Sequence, residues 1–226
     1  MISNKLPFVL QLYKMHTFTE LSSFNEYIAH SIASINNAQQ EFEGKYKKFE
    51  SKHSDEEDDS GWIDYWSEEH IKFHEIFPAF FRQSTFISLY SFLETRLLSL
   101  CNNLQRTKQY NIKIADLAGE NYIEKSKKYL KLVVGLNLDD LNTHWTKITD
   151  YQKIRNCFVH TNGNIITDKT QPLDKQKFYQ AAKKNTDLKI ENSGEIKIEN
   201  DAFLTKFIKV IEDYLKALLE KIKNNL

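Results

Sequence analysis

Hydrophobic positions along this chain recur mainly at intervals of three and four, the period of an amphipathic helix. From about Phe18 to Lys52, Phe24, Ile28, Ile32 and Ile35 keep that spacing within a polar stretch, which predicts one long helix. It gives way between Ser54 and Gly61 to the acidic run Asp55-Glu56-Glu57-Asp58-Asp59, whose like charges repel and favour a solvated loop. A second helical stretch is expected from near Trp62 to Asn103. Pro78 should kink or restart it, because proline lacks an N–H and crowds the preceding turn. Its second half carries Phe86, Leu89, Leu93, Leu97, Leu100 and Leu104 on one face and is the strongest core element in the sequence.

Further helices are expected from Tyr122 to Val134, stopping at Gly135, and from Asn142 or Thr143 to Thr161, stopping at Asn162-Gly163. The stretch from Gly163 to Thr186 is less regular, with a short helix around Lys177 to Lys183. The pattern then switches to alternation. Pairing Ile190 with Ile196 and Leu188 with Ile198 around Asn192-Ser193-Gly194 sets four apolar residues on one face of a hairpin. From Asp201 a final helix turns Phe203, Phe207, Ile211, Tyr214 and Leu218 inward, and Lys209, Glu212, Lys216 and Glu220 outward. The fold expectation is all-α: a helical bundle with a small β-hairpin inserted before the last helix. It forms one domain over 1–226, in which 1–60 is an N-terminal helical extension with its acidic loop, 62–162 the core, 187–200 the hairpin and 201–223 the closing helix.

Composition narrows this reading. A chain of 226 residues, 41% hydrophobic, can bury one sizeable core, and with 6 Gly and 3 Pro it has few breakpoints for a many-turned β architecture. Lys+Arg and Asp+Glu both total 31, so no overall basic excess advertises a general nucleic-acid binder. From Glu94 to Arg155, however, Lys and Arg number 11 against 7 Asp and Glu, a local surplus that suits a phosphate-binding face. Cys101 and Cys157 stand far apart without metal or redox spacing and read as reduced thiols, Cys157 as small core filler. Phe8-Val9-Leu10 is interrupted by Gln11 and Lys14, so neither a signal peptide nor a membrane span is expected, and the location expected is cytoplasmic.

The chemistry concentrates in Ile148 to Gly163. On a helical wheel Ile148, Tyr151, Phe158 and Val159 lie within about 60° of Arg155, so this arginine projects from the apolar stripe. Its permanent charge there needs an acid, carbonyls or a bound anion; Glu94 and Asp150 are candidate acids. His160 lies in the last turn, where the negative end of the helix dipole favours imidazolium. A fixed cation with a tunable proton donor suits phosphodiester cleavage. On an ideal helix the two side chains diverge by about 140° and about 7.5 Å of rise, so two copies meeting at a two-fold axis would be needed to pool them. Elsewhere, His70 and His74 stand at i, i+4 among Glu68, Glu69 and Glu75, a metal-clamping spacing without an evident third ligand; a solvated charged face is the favoured reading, and no metal or cofactor is assigned.

Arg155-Asn156-Cys157-Phe158-Val159-His160 resembles the R-N-x-x-x-H form of the RxxxxH signature of HEPN domains. About 0.01 such matches are expected by chance in this composition. Ser88 to Leu97 is similar to the family's earlier core helix, which commonly carries a polar or acidic residue such as Glu94, and the likeness runs from about Phe77 to Asn162. The resemblance implies a metal-independent endoribonuclease with a composite site in a homodimer. Arg155, His160 and Asn156 would be catalytic, and Glu94, Asp150 and Tyr151 supporting. It further implies RNA as substrate, a toxin or antiviral-defence role, and an antitoxin or regulatory protein as partner. The alternative is a non-catalytic HEPN module that binds RNA, a nucleotide or a partner protein.

Overall fold

The computed structural model describes residues 5–53, 60–119 and 121–225, with the side chains of 60–63 excepted; the acidic run Asp55–Asp59 lies outside them. Helix α1 spans Lys5–His53 and begins well before the expected Phe18. Leu6, Leu10, Tyr13, Thr17 and Leu21 continue the three-and-four rhythm that Phe24 and Ile28 sustain, and Pro7 falls in the first turn, where no N–H is needed. Its first half is not an appendage: Leu6, Tyr13, Leu21 and Ile28 belong to the main core, and the Tyr13 hydroxyl donates to the Arg96 carbonyl at 2.8 Å.

Helix α2 (Ser60–Ile71) continues through a π-helical turn at Lys72–Ile76 into α3 (Phe77–Lys108). Here Pro78 acts on the chain as a widened turn. The Phe77 N–H reaches back to the Lys72 carbonyl, and Pro78 has no N–H to offer the next one. The Phe73 carbonyl instead accepts from Gln39 Nε2 of α1 at 2.9 Å. Along α3 the six apolar residues of its expected face are fully buried, and α1, α4, α5 and α7 all pack on this helix.

Helix α4 (Tyr122–Leu132) is capped by Asn121, whose side chain accepts the Glu124 N–H, and it ends at Gly135 in the left-handed region. Helix α5 spans Asn142–Thr161. The irregular stretch beyond it is organised by the buried amide of Gln176, which bonds the backbone of Thr167, Asp168 and Gln171. After the short α6 (Tyr179–Lys183), strands β1 (Leu188–Ile190) and β2 (Ile196–Ile198) pair antiparallel, with Leu188 opposite Ile198 and Ile190 opposite Ile196. Helix α7 (Ala202–Asn225) closes the bundle with Phe203, Phe207, Ile211, Tyr214 and Leu218 buried. The architecture is an all-α bundle with one small hairpin before its last helix.

Two features fix α5, the helix of interest. An aromatic cluster joins it to α3 and α7: Tyr151 stacks on Phe207 at 4.3 Å, and Phe86 meets both Phe158 and Phe203 edge-on. The hairpin then fastens the chain leaving α5, through Ile196 N–H to the Gly163 carbonyl and Ile165 N–H to the Gly194 carbonyl, both at 2.9 Å. Among the described residues no helix is long and apolar enough to cross a membrane.

Candidate functional site on α3 and α5

Arg155 is half-buried on the face of α5 that meets α3. Its guanidinium carbon lies 5.5 Å from the centre of the Tyr90 ring, and Nη1 donates to Asn156 Oδ1 at 3.1 Å. Among the described residues no carboxylate comes within ion-pair distance of 4.0 Å. Its buried Nε and the buried Tyr90 hydroxyl make no hydrogen bond to protein. Buried polar groups of this kind are normally paired, so two in one cluster, one of them charged, mark a place suited to an anion.

Glu94 lies one turn along α3 from Tyr90 and is half-buried. Burial pushes its carboxyl above the ordinary carboxylate range, and the charge of Arg155 pulls it partly back. Burial likewise pushes the Tyr90 hydroxyl up, with the charges of Glu94 and Glu124 adding to the rise and Arg155 opposing it. The cluster thus comprises Arg155, Asn156, Tyr90, Glu94 and Glu124. Tyr90 and Glu124 were not singled out in the sequence. Tyr90 was findable, since it stands four residues before Glu94 on one helix; Glu124 was not, because only tertiary packing brings α4 here.

Asp150 and Tyr151 are placed elsewhere. Asp150 pairs with Lys184 at 3.0 Å, on the side of α5 facing α6 and α7. The Tyr151 ring is committed to Phe207 and the core, and its hydroxyl is directed to Asn185; burial pushes its ionisation up to about 12. Neither residue reaches the guanidinium group of Arg155 through a hydrogen bond or ion pair.

His160 is exposed in the last turn of α5. It is not the cap of that helix. Asn162 and Gly163 adopt left-handed conformations, their N–H groups and the Thr161 hydroxyl all bond the Cys157 carbonyl, and among the described residues the imidazole makes no hydrogen bond to protein. Gly163 is required there: a Cβ would stand 3.3 Å from the Ile196 carbonyl oxygen, in a backbone conformation with φ +81°. Cys157 is buried beside Thr161, and burial pushes its thiol up, which disfavours the thiolate. Arg155 and His160 therefore share one helix end while facing different directions, Arg155 into the α3 contact and His160 into solvent. Comparison of the chain with protein-family models, with curated proteins and with solved structures gives no match.

Proposed function

We propose that the protein is a metal-independent endoribonuclease of the HEPN type, acting as a homodimer whose two α5 ends line one cleft. The observation that carries this reading is Arg155: a half-buried guanidinium with no carboxylate partner among the described residues, in the same motif as a solvent-facing His160 that serves no capping role. In the reaction, the 2′-hydroxyl of RNA attacks the adjacent phosphorus, the P–O5′ bond breaks, and a 2′,3′-cyclic phosphate and a free 5′-hydroxyl are released. One His160 takes the 2′ proton as general base, and the leaving 5′ oxygen takes its proton from water. Arg155 holds the non-bridging oxygens as charge grows on them, with Asn156 orienting its fork. Glu94 tempers the field around Arg155 without claiming it. A toxin or antiviral-defence role, held in check by an antitoxin or regulatory protein, is the biological setting this chemistry fits.

The divergence of Arg155 and His160 within one chain favours a second reading, a non-catalytic module that binds RNA, a nucleotide or a protein at the Arg155 cluster. Cleavage of total RNA in EDTA, with wild type beside His160→Ala, separates the two. Cleavage that disappears in the folded variant supports the enzyme. RNA retained but uncut by wild type supports the module, and equal cutting of DNA, which lacks the 2′-hydroxyl, rules out the mechanism.

A further inference from the structure

The end of the molecule built by α1, α2 and the π-helical turn brings together Glu43, His70 and His74, whose potential ligand atoms all lie within 4.8 Å of one another. None of these residues takes part in the Arg155 cluster. The third ligand that the sequence spacing of the two histidines lacked is supplied by α1. His74 Nε2 lies 3.1 Å from Glu43 Oε1, and the two imidazoles stack at 4.3 Å between ring centres, 23° from parallel. Phe42, itself buried, sets its edge or face against both imidazoles at 6.1 Å and packs on Phe73 and Trp66, forming an apolar wall behind them. The Gln39 bond to the Phe73 carbonyl holds the widened turn against α1 one helical turn before Glu43. The backbone that presents the three ligands is therefore fixed by contacts the ligands do not make.

We propose that Glu43, His70 and His74 bind a divalent transition-metal ion of the zinc class, stapling α1 to the π-helical turn. Two imidazoles and one carboxylate are a borderline donor set, which suits Zn(II), Co(II) or Cu(II) rather than Mg(II) or Ca(II). A tetrahedral ion with bonds of about 2.0–2.2 Å holds its ligand atoms roughly 3.3–3.5 Å apart. The His74–Glu43 pair is already that close, and rotation about the exposed His70 side chain closes the remainder. A fourth position stays open to water. The stacked imidazoles and the Glu43 carboxylate bring nitrogen and oxygen lone pairs to one place, and the ion gives them a common acceptor. Its positive charge is also favoured by Glu68, Glu69 and Glu75 on the same segment, Glu69 sharing its charge with Lys72.

The test is calorimetric titration of the tag-free full chain with zinc chloride, alongside cobalt(II) absorbance to report coordination geometry and far-UV circular dichroism to report folding. Wild type is expected to bind one equivalent saturably, and His70→Ala and His74→Ala each to lose at least about 10–100-fold in affinity, the cost of removing even an outer partner of a metal site. His70 is exposed, so its replacement is expected to keep the fold, and an unchanged circular dichroism spectrum in that variant separates loss of binding from unfolding. Absence of saturable binding in wild type, or binding indifferent to both replacements, overturns the site and leaves a plain His74–Glu43 hydrogen bond. Because the proposed RNA cleavage is assayed in EDTA and uses none of these residues, either proposal can fail while the other stands.

Discussion

A half-buried guanidinium must have its charge answered, and at Arg155 the answers on hand are the face of Tyr90, the side-chain oxygen of Asn156 and the field of Glu94. None is an ion pair, and this sets the cost of removing it. Arg155→Ala should lower stability by about 0.5–2 kcal/mol, the worth of a cation–π contact, where a broken buried pair would cost about 3–5 kcal/mol; urea denaturation distinguishes them. Glu94 provides a second reading of the same cluster. Burial raises its folded-state value, so its contribution to stability is fully present at low pH and declines as pH rises from the ordinary carboxylate range through that raised value. Glu94→Gln should flatten this decline in a stability–pH series. Arg155→Ala should move the Glu94 titration further up, followed by carbon-13 NMR of the carboxyl; an unmoved titration would show that the guanidinium does not act on it. The helical wheel made Arg155 conspicuous, since it locates a side chain on its own helix. It gave no information on which neighbouring helix lies opposite, and so Asp150 stood as a candidate partner although it pairs with Lys184.

At the scale of elements, the hairpin was legible to the residue because its cues are local: four apolar residues on one face, and a turn ending in Gly194 at φ +81°. What it does was not legible, since its bonds to the chain leaving α5, Ile196 N–H to the Gly163 carbonyl and Ile165 N–H to the Gly194 carbonyl, form only in the fold. Gly194→Ala should cost about 2 kcal/mol or more. The left-handed backbone accounts for about 1–2, and the new Cβ would approach Ile166 Cγ1 to 2.5 Å. The amide signals of Thr161 to Asn164 should shift with it, because the hairpin anchors the end of α5; a variant that loses stability without moving them would contradict that anchoring. The π-helical turn teaches the complementary lesson. Pro78 announced a disturbance, but its form depends on Gln39, a residue remote in sequence that takes up the Phe73 carbonyl. Gln39→Ala should destabilise the chain by about 0.5–1.5 kcal/mol, the net worth of a hydrogen bond to a partly buried carbonyl, as measured by thermal or urea unfolding.

For the whole molecule the proposed function raises the question of how a chain of zero net charge would hold RNA. The surplus of positive charge between Glu94 and Arg155 survives folding: Lys221 and Lys184, from outside the segment, neutralise its Asp140 and Asp150, while Glu20 of α1 claims its Arg96. That surplus lies on the elements that carry the Arg155 cluster, so the proposed RNA binding should weaken with salt. The geometry of the motif makes a sharper demand. One α5 sends Arg155 toward α3 and His160 into solvent, so under the proposed mechanism the two would meet on one phosphate through a two-fold pairing of helix ends, with the second copy supplying the other group. Such a composite site predicts complementation. Arg155→Ala and His160→Ala homodimers should each be inactive. Unfolded together in equal amounts and refolded, they should form about half heterodimers, in which one subunit contributes an arginine and the other a histidine. Partial cleavage should then return in the mixture and be absent when the two are combined without exchange. If each chain instead carried a complete site, no mixture of the two variants would regain activity, because every subunit would still lack one of its groups.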